Sequence, residues 1–434
     1  MVQLYGQTLS RRQVSERSGM LSQFAGVRLM TLGDGVERGI RMLEFRTGTG
    51  LRFTALVDRA LDIADCEYKG QAIGWHSPSG FRHPALHEYE GEGGLAWARS
   101  FSGLLVTCGL DHILGAEEVP ADSYLYPGRK TVRHSLHGRV GTIPARLAGY
   151  GERWDGDRCI LWAEGTVRQS TVFGEDLHLV RRIEADVGGN EIRLSDHVVN
   201  HGFLRTPHMY FYHVNVGHPL LDEGTRYVAP VRDVVWAAHE GERYRAQGVG
   251  YRTMPAPVDG FVEQVWQHEL SADDKGEVPV AVMNDRIGLG FEVVTRKDQL
   301  PCAYQWQNFQ AGQYALGLEP STHHVLGDLA ARERGEMIWL EHGEGRSYEA
   351  SFRVLDGPDQ MAGSEARITA IARQPQGEFP APSGVFAPLR GGAMNAQRHV
   401  PFGSGRWTGT QGASAREGRS QAGLPALPGH RRSP

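Results

Sequence analysis

Short runs rich in β-branched, aromatic and leucine residues recur along most of this chain, each broken after a few positions by Gly, Asp or Asn. Runs of that length between turn residues predict strands, and the scarcity of sustained 3.6-residue periodicity leaves room only for short helices. In LHLVRRIEADVGGNEIRLSDHVV two strand-like segments flank Gly188-Gly189-Asn190, residues that accept the positive φ of a tight hairpin. In YALGLEP, Tyr314, Leu316 and Leu318 alternate with Ala315, Gly317 and Glu319, which places the two sets on opposite faces of one strand. The expected fold class is all-β, a large antiparallel β-sandwich with few short helices, one of them around LSRRQVSERSG. No internal repeat is found.

A chain of 434 residues with 40% apolar and 22% charged residues can bury a sizeable core. Its net charge of −5 supplies no field for capturing nucleic acid or an anionic membrane, and it suits a small neutral ligand better. No early segment joins a basic start to an apolar run, and stretches such as GLLVTCGL are too short to cross a bilayer. The four cysteines, Cys66, Cys108, Cys159 and Cys302, form no CxxC pair, so they are expected to be buried free thiols in a reducing cytoplasm. From Met361 onward Lys and Asp vanish while Arg, Gly, Ala and Pro dominate. The expected organisation is therefore one β-sandwich domain over residues 1–360 and a disordered tail over 361–434.

Several positions are candidates for chemistry. Glu319 shares its strand face with the small Ala315 and Gly317, and Pro320 behind it suggests a strand end at a rim. A carboxylate in a partly dry cleft has a raised pKa and can act as a general base, while an edge glutamate paired with an Arg fits the same spacing. In HMYFYHVNVGHP, Phe211, His213 and Asn215 fall on one face and His208, Tyr210, Tyr212 and Val214 on the other. The imidazole and amide could hold hydroxyl groups, or His213 could be an ordinary core histidine. His134 and His137 lie in RHSLHGRVGTIPA, where Gly138 permits close approach to a ligand. Those two with a carboxylate could form a metal site, but no HxH pair supports it. Arg99 precedes an apolar run and could fork hydrogen bonds to vicinal hydroxyls or simply pair with a nearby acid. Trp75, Trp97 and Trp306 could stack on a sugar or anchor the core. A Gly-rich phosphate loop and a GxSxG elbow are both absent from the sequence, so no nucleotide cofactor and no serine nucleophile is indicated.

Taken in order, LYGQTLSRRQV, DRALDIADCEYKGQAIGWHSP, FSGLLVTCGL, LHGRVGTIPA, YFYHVNVGHPLL and YALGLEPST resemble the aldose 1-epimerase (galactose mutarotase-like) superfamily over roughly residues 4–355. The resemblance implies a galactose mutarotase-like supersandwich with a sugar cleft on a concave face, and an isomerase that needs neither metal nor cofactor. It implies Glu319 as general base, His213 as the acid at the ring oxygen and His137 as the second histidine polarising that oxygen. Arg99, Asn215 and Trp306 would bind substrate. The family's usual Asn-Arg pair is not present in that form around Arg99, and Asn200-His201 is a less extensive match than YHVNVGHP. The expected partner is a small-molecule sugar, with no nucleic acid and no membrane; sequence leaves the oligomeric state open. A non-catalytic sugar-binding module, an epimerase acting at another carbon and a metal-dependent isomerase or dioxygenase are the alternatives.

Overall fold

The computed structural model describes residues 1–238, 247–372, 375, 377–389 and 397–398. Its architecture is antiparallel β throughout the named sheets. Among the described residues one sheet has nine strands, in the order Arg146–Asp155, Arg158–Ser170, Asp176–Asp186, Glu191–Asn200, Glu344–Asp356, Leu289–Arg296, Glu277–Asn284 and Arg226–Val228, with Gln397–Arg398 beside Glu344–Asp356. A second has seven: Val231–Ala237, Gln264–Leu270, Cys302–Asn308, Ala315–Ser321, Thr206–Val216 and Ile338–Leu340, with Leu105–Leu110 joined to Thr206–Val216. A five-stranded sheet runs from Gly26–Thr31 to Gln71–Ala72.

The period-2 pattern explains the layering. In Asp176–Asp186, Leu177, Leu179, Ile183 and Ala185 point into the core while their neighbours are half-exposed. The hairpin at Gly188-Gly189-Asn190 forms as expected, with Gly188 at φ 85° and a Cβ there only 2.2 Å from the Gln3 carbonyl. The short helix near the start is Arg11–Arg17, opened by a capping box between Ser10 and Gln13. All four cysteines are buried free thiols.

The Thr206–Val216 strand is buried at every position, because it is covered on both faces. Tyr210, Tyr212, Val214 and Val216 face the main core, whereas Met209 and Phe211 join Trp75, Trp97, Phe101 and Trp306 in a separate aromatic layer. That division matches the alternation in the sequence, and it sets the second layer as the floor of the candidate site.

Two expectations are corrected. The boundary at 360/361 cuts a helix, Pro358–Ile371. Met361 and Ile368 pack on Ala281, Met283 and Leu355, and Ser364 and Arg367 hold the buried Glu292. Ordered contacts continue beyond it, where the Ala387 carbonyl accepts from His324 Nε2 at 2.8 Å. Composition concealed this helix because its buried face is narrow; the rest of the expected tail, including 401–434, lies outside the described residues. The second is the edge position of Glu319: the strand ends one residue past Pro320, as expected, but not at a sheet edge. That strand is central, between Cys302–Asn308 and Thr206–Val216.

Candidate functional site

Strand register assembles the site. Phe211 pairs with Ser321, Val214 with Leu318 and Asn215 with Gly317, an alignment that sets His213 opposite Glu319. Pro320 has no N–H to give the ladder, and the pairing opens between the Phe211 and Val214 bridges. There His213 Nε2 lies 3.1 Å from Glu319 Oε1, off the line of a hydrogen bond. Gly317 makes this approach possible: a Cβ on it would stand 2.9 Å from Glu319 Oε1, 3.0 Å from His213 Cε1 and 3.1 Å from Trp306 Cβ. The small residue thus admits the histidine–glutamate pair.

Burial sets the protonation of the pair. It pushes His213 down to about 3, partly opposed by the Asn215 side chain, and it holds Glu319 well above the usual carboxylate range, helped by the nearby Glu263. His137 reaches the same space from a loop. It sits at φ 59°, a left-handed conformation uncommon for a non-glycine, followed by Gly138 at φ 76°. A Cβ at Gly138 would lie 2.3 Å from the Gly109 carbonyl, so only glycine fits beside that strand. The His137 N–H donates to the Leu114 carbonyl at 2.7 Å, and the Leu114 N–H donates to His137 Nδ1 at 3.2 Å. Nδ1 is therefore an acceptor, and since burial lowers the pKa of this imidazole well below its ordinary value, the ring is neutral with its proton on Nε2.

Glu319, His213, His137 and Trp306 all line one cleft of about 530 Å³, together with Trp75, Trp97, Phe101 and Trp236. Phe101 lies 4.6 Å from the His213 ring, Trp97 stands edge-to-face on His137 at 4.5 Å, and Trp306 meets His213 at 5.3 Å and 80°. Two expected binding residues are elsewhere. Arg99 is exposed at the end of the Ala96–Arg99 turn and pairs with Glu92, because Trp97 occupies the inward position of that turn. Asn215 stands behind the pair: its amide donates to the Gly103 carbonyl at 3.1 Å and the His213 carbonyl at 3.2 Å. His201 is exposed and stacked on His178, outside the cleft wall. Sequence reading missed Glu263, which accepts from Trp306 Nε1 at 2.7 Å, and also Asn308 and Gln313 on the wall. The available signal for Glu263 was its period-2 step to Val265, which lines the same cleft.

The family model described as Domain of unknown function (DUF4432) matches residues 37–354. The chain belongs to the DUF4432 family. Its fold is shared with a Klebsiella pneumoniae protein that carries the provisional name aldose 1-epimerase, at 25% identity and a TM-score of 0.73, over 82% of this chain and 90% of that one. A galactose mutarotase-like protein from Clostridium acetobutylicum is similar at 12% identity and a TM-score of 0.51, over 77% of this chain and 99% of the other. No curated protein matches the DUF4432 chain in sequence. The galactose mutarotase-like sandwich expected from the sequence is thus shown. No helix among the described residues is long and apolar enough to cross a membrane.

Proposed function

We propose that this DUF4432 protein is a sugar 1-epimerase that interconverts the anomers of an aldose by general acid–base catalysis. The observation that carries the reading is the His213–Glu319 pair, 3.1 Å apart on adjacent strands, opening into a cleft of sugar size.

With Glu319 raised and His213 lowered by burial, the resting pair is a carboxylic acid beside a neutral imidazole. Passing that proton to His213 gives the carboxylate and imidazolium that the reaction uses; net charge stays at zero, but burial opposes this separation of charge, which the hydroxyls of a bound sugar offset. With a pyranose bound, Glu319 takes the proton of the anomeric hydroxyl while His213 gives one to the ring oxygen. The ring C1–O bond breaks, leaving an aldehyde at C1; rotation about C1–C2 and the reverse transfers close the ring on the other face. His137 Nε2–H is a fixed donor that polarises the ring oxygen. Each positioned acid or base contributes typically about 10²–10⁴ in rate, and the chemistry needs neither hydride acceptor nor Lewis acid.

The wall supports a neutral substrate. Among the described residues it carries no Lys or Arg, so phosphorylated sugars and uronates find no counter-charge. Trp75, Trp97 and Trp306 present apolar surface suited to the C–H face of a sugar ring. Buried free thiols fit a reducing compartment, which we take to be the cytoplasm.

NMR anomer-exchange spectroscopy on a panel of neutral aldoses and uronic acids tests this. Wild-type protein should accelerate exchange of at least one neutral aldose, and Glu319→Gln should reduce that rate by about 10²–10⁴ with its fold retained. Sugar binding without accelerated exchange would overturn the epimerase reading and leave a binding module or epimerisation at another carbon.

A further inference from the structure

Behind the cleft wall lies a second polar cluster that the proposed reaction does not use. His112, His134 and Asp328 each offer a donor atom within 4.8 Å of the others. His112 and Asp328 have 0% and His134 3% of their surface exposed, so bulk water cannot satisfy them. His112 Nε2 points at the Gly115 carbonyl at 2.7 Å, which fixes the proton on Nε2 and leaves a lone pair on Nδ1. That Nδ1 has no hydrogen-bond partner among the described residues. Asp328 Oδ1 accepts from Arg332, whereas its Oδ2 likewise has none. Two buried acceptors without a donor cost free energy unless a cation or another donor reaches them.

We propose that His112 Nδ1, Asp328 Oδ2 and an imidazole nitrogen of His134 bind a Zn²⁺ ion. Two imidazoles and one carboxylate are a donor set suited to zinc, with a water completing four-coordination. The supporting contacts follow the pattern of metal-bound histidines, whose other N–H goes to a carbonyl or carboxylate. His112 uses the Gly115 carbonyl; His134 Nδ1 stands 3.8 Å from Asp111 Oδ2, beyond hydrogen-bond distance, and would meet a carboxylate only after its ring turns. The His112 and His134 rings stand nearly parallel, 4.7 Å apart. Coordination therefore requires His134 to turn about its Cβ–Cγ bond, which breaks no side-chain hydrogen bond among the described residues. Asp111 and Glu117 add negative charge nearby, offset by Arg139 and Arg332.

The ion would be structural. It would tie the 111–115 loop, the Thr131–His134 strand and the Asp328–Glu333 helix together. That loop supplies the Leu114 N–H that fixes the tautomer of His137, so the site would buttress the cleft without touching substrate.

The test uses the full chain stripped with EDTA. Titration with Zn²⁺ against a chromogenic chelator should show one site, and Co²⁺ should give visible d–d bands without the near-ultraviolet sulfur-to-cobalt transition that cysteine ligation produces. Removal of a ligand in His112→Gln or Asp328→Asn should weaken Zn²⁺ by more than the about 10–100-fold typical of losing a supporting contact. Zn²⁺ should also raise the Tm of wild type and leave that of the variants unchanged. If His112→Gln fails to fold, the near-isosteric Asp328→Asn and the wild-type Co²⁺ spectrum decide the matter. Absence of stoichiometric uptake, a thiolate spectrum, or variants that bind as tightly as wild type would overturn the proposal.

Discussion

At position 317 the absent side chain is what lets His213 and Glu319 share space. Replacing Gly317 by Ala puts a methyl within 2.9–3.1 Å of Glu319, His213 and Trp306, with no positive φ to strain the backbone. A displacement of reacting groups by about 1 Å costs on the order of 10²-fold in rate. Gly317→Ala is therefore expected to lower kcat by about 10–100-fold with the fold retained and a loss of stability no larger than about 1–3 kcal/mol, the cost of overpacking, as read by anomer exchange and thermal melting. A catalytically normal variant would show that the spacing of the pair is unimportant. Protonation gives an independent check. His213 is held down to about 3 and Glu319 well above its ordinary range, so acidification from about pH 7.5 to 5 should not reduce kcat/KM. The acid limb belongs where the pair gains a second proton, far below the 6.5 of an ordinary imidazole; a midpoint near 6.5 would mean that a different, exposed histidine governs the rate. Alternation singled out Glu319 and His213 but left an edge glutamate and a core histidine equally open; only the family resemblance put the two together. Arg99 was misplaced because nothing in a one-turn helix indicates which side faces the cleft.

The Thr206–Val216 strand joins site to core, and a buried ionic network fixes its rear face. Arg181, with no exposed surface, donates to Asp196 at 2.7 and 2.8 Å and to Asp62 at 2.7 Å, while Tyr210 and Tyr212 both donate to Asp196 Oδ2 at 2.7 Å. The network links the Asp62–Tyr68, Asp176–Asp186, Glu191–Asn200 and Thr206–Val216 strands. Removing the cation leaves two buried carboxylates without their counter-charge. Breaking such a pair typically costs about 3–5 kcal/mol, so Arg181→Met should lower the urea midpoint by that equivalent. A loss under about 1 kcal/mol would show that the hydroxyl donors alone satisfy the acids. Element existence and facing could be read from the sequence, since both are local. Neighbours could not: Pro320 correctly marked the strand's end but not that the strand is central, where the missing N–H opens the ladder at the site itself.

At the scale of the whole chain, the strand and turn pattern identified the sandwich, but composition misplaced its end. Pro358 at the helix start and Asp359 in its first turn were readable start signals, with Met361, Ser364 and Ile368 spaced along one face. The Arg, Gly, Ala and Pro bias of everything that follows outweighed them, because composition averages over a window while burial depends on a few side chains. Those side chains carry a testable consequence. A chain ended at Gly357 loses Met361 and Ile368 from their contacts with Ala281, Met283 and Leu355, and it strips Ser364 and Arg367 from Glu292, which is 1% exposed in the folded protein. Burying each apolar side chain is worth about 1.5–3 kcal/mol, so the two together give about 3–6 kcal/mol. Compared with a chain ended at residue 399, the shorter one should unfold at a lower urea concentration by that difference. Equal midpoints would mean that the sandwich closes without this helix, and that the domain ends where composition placed it.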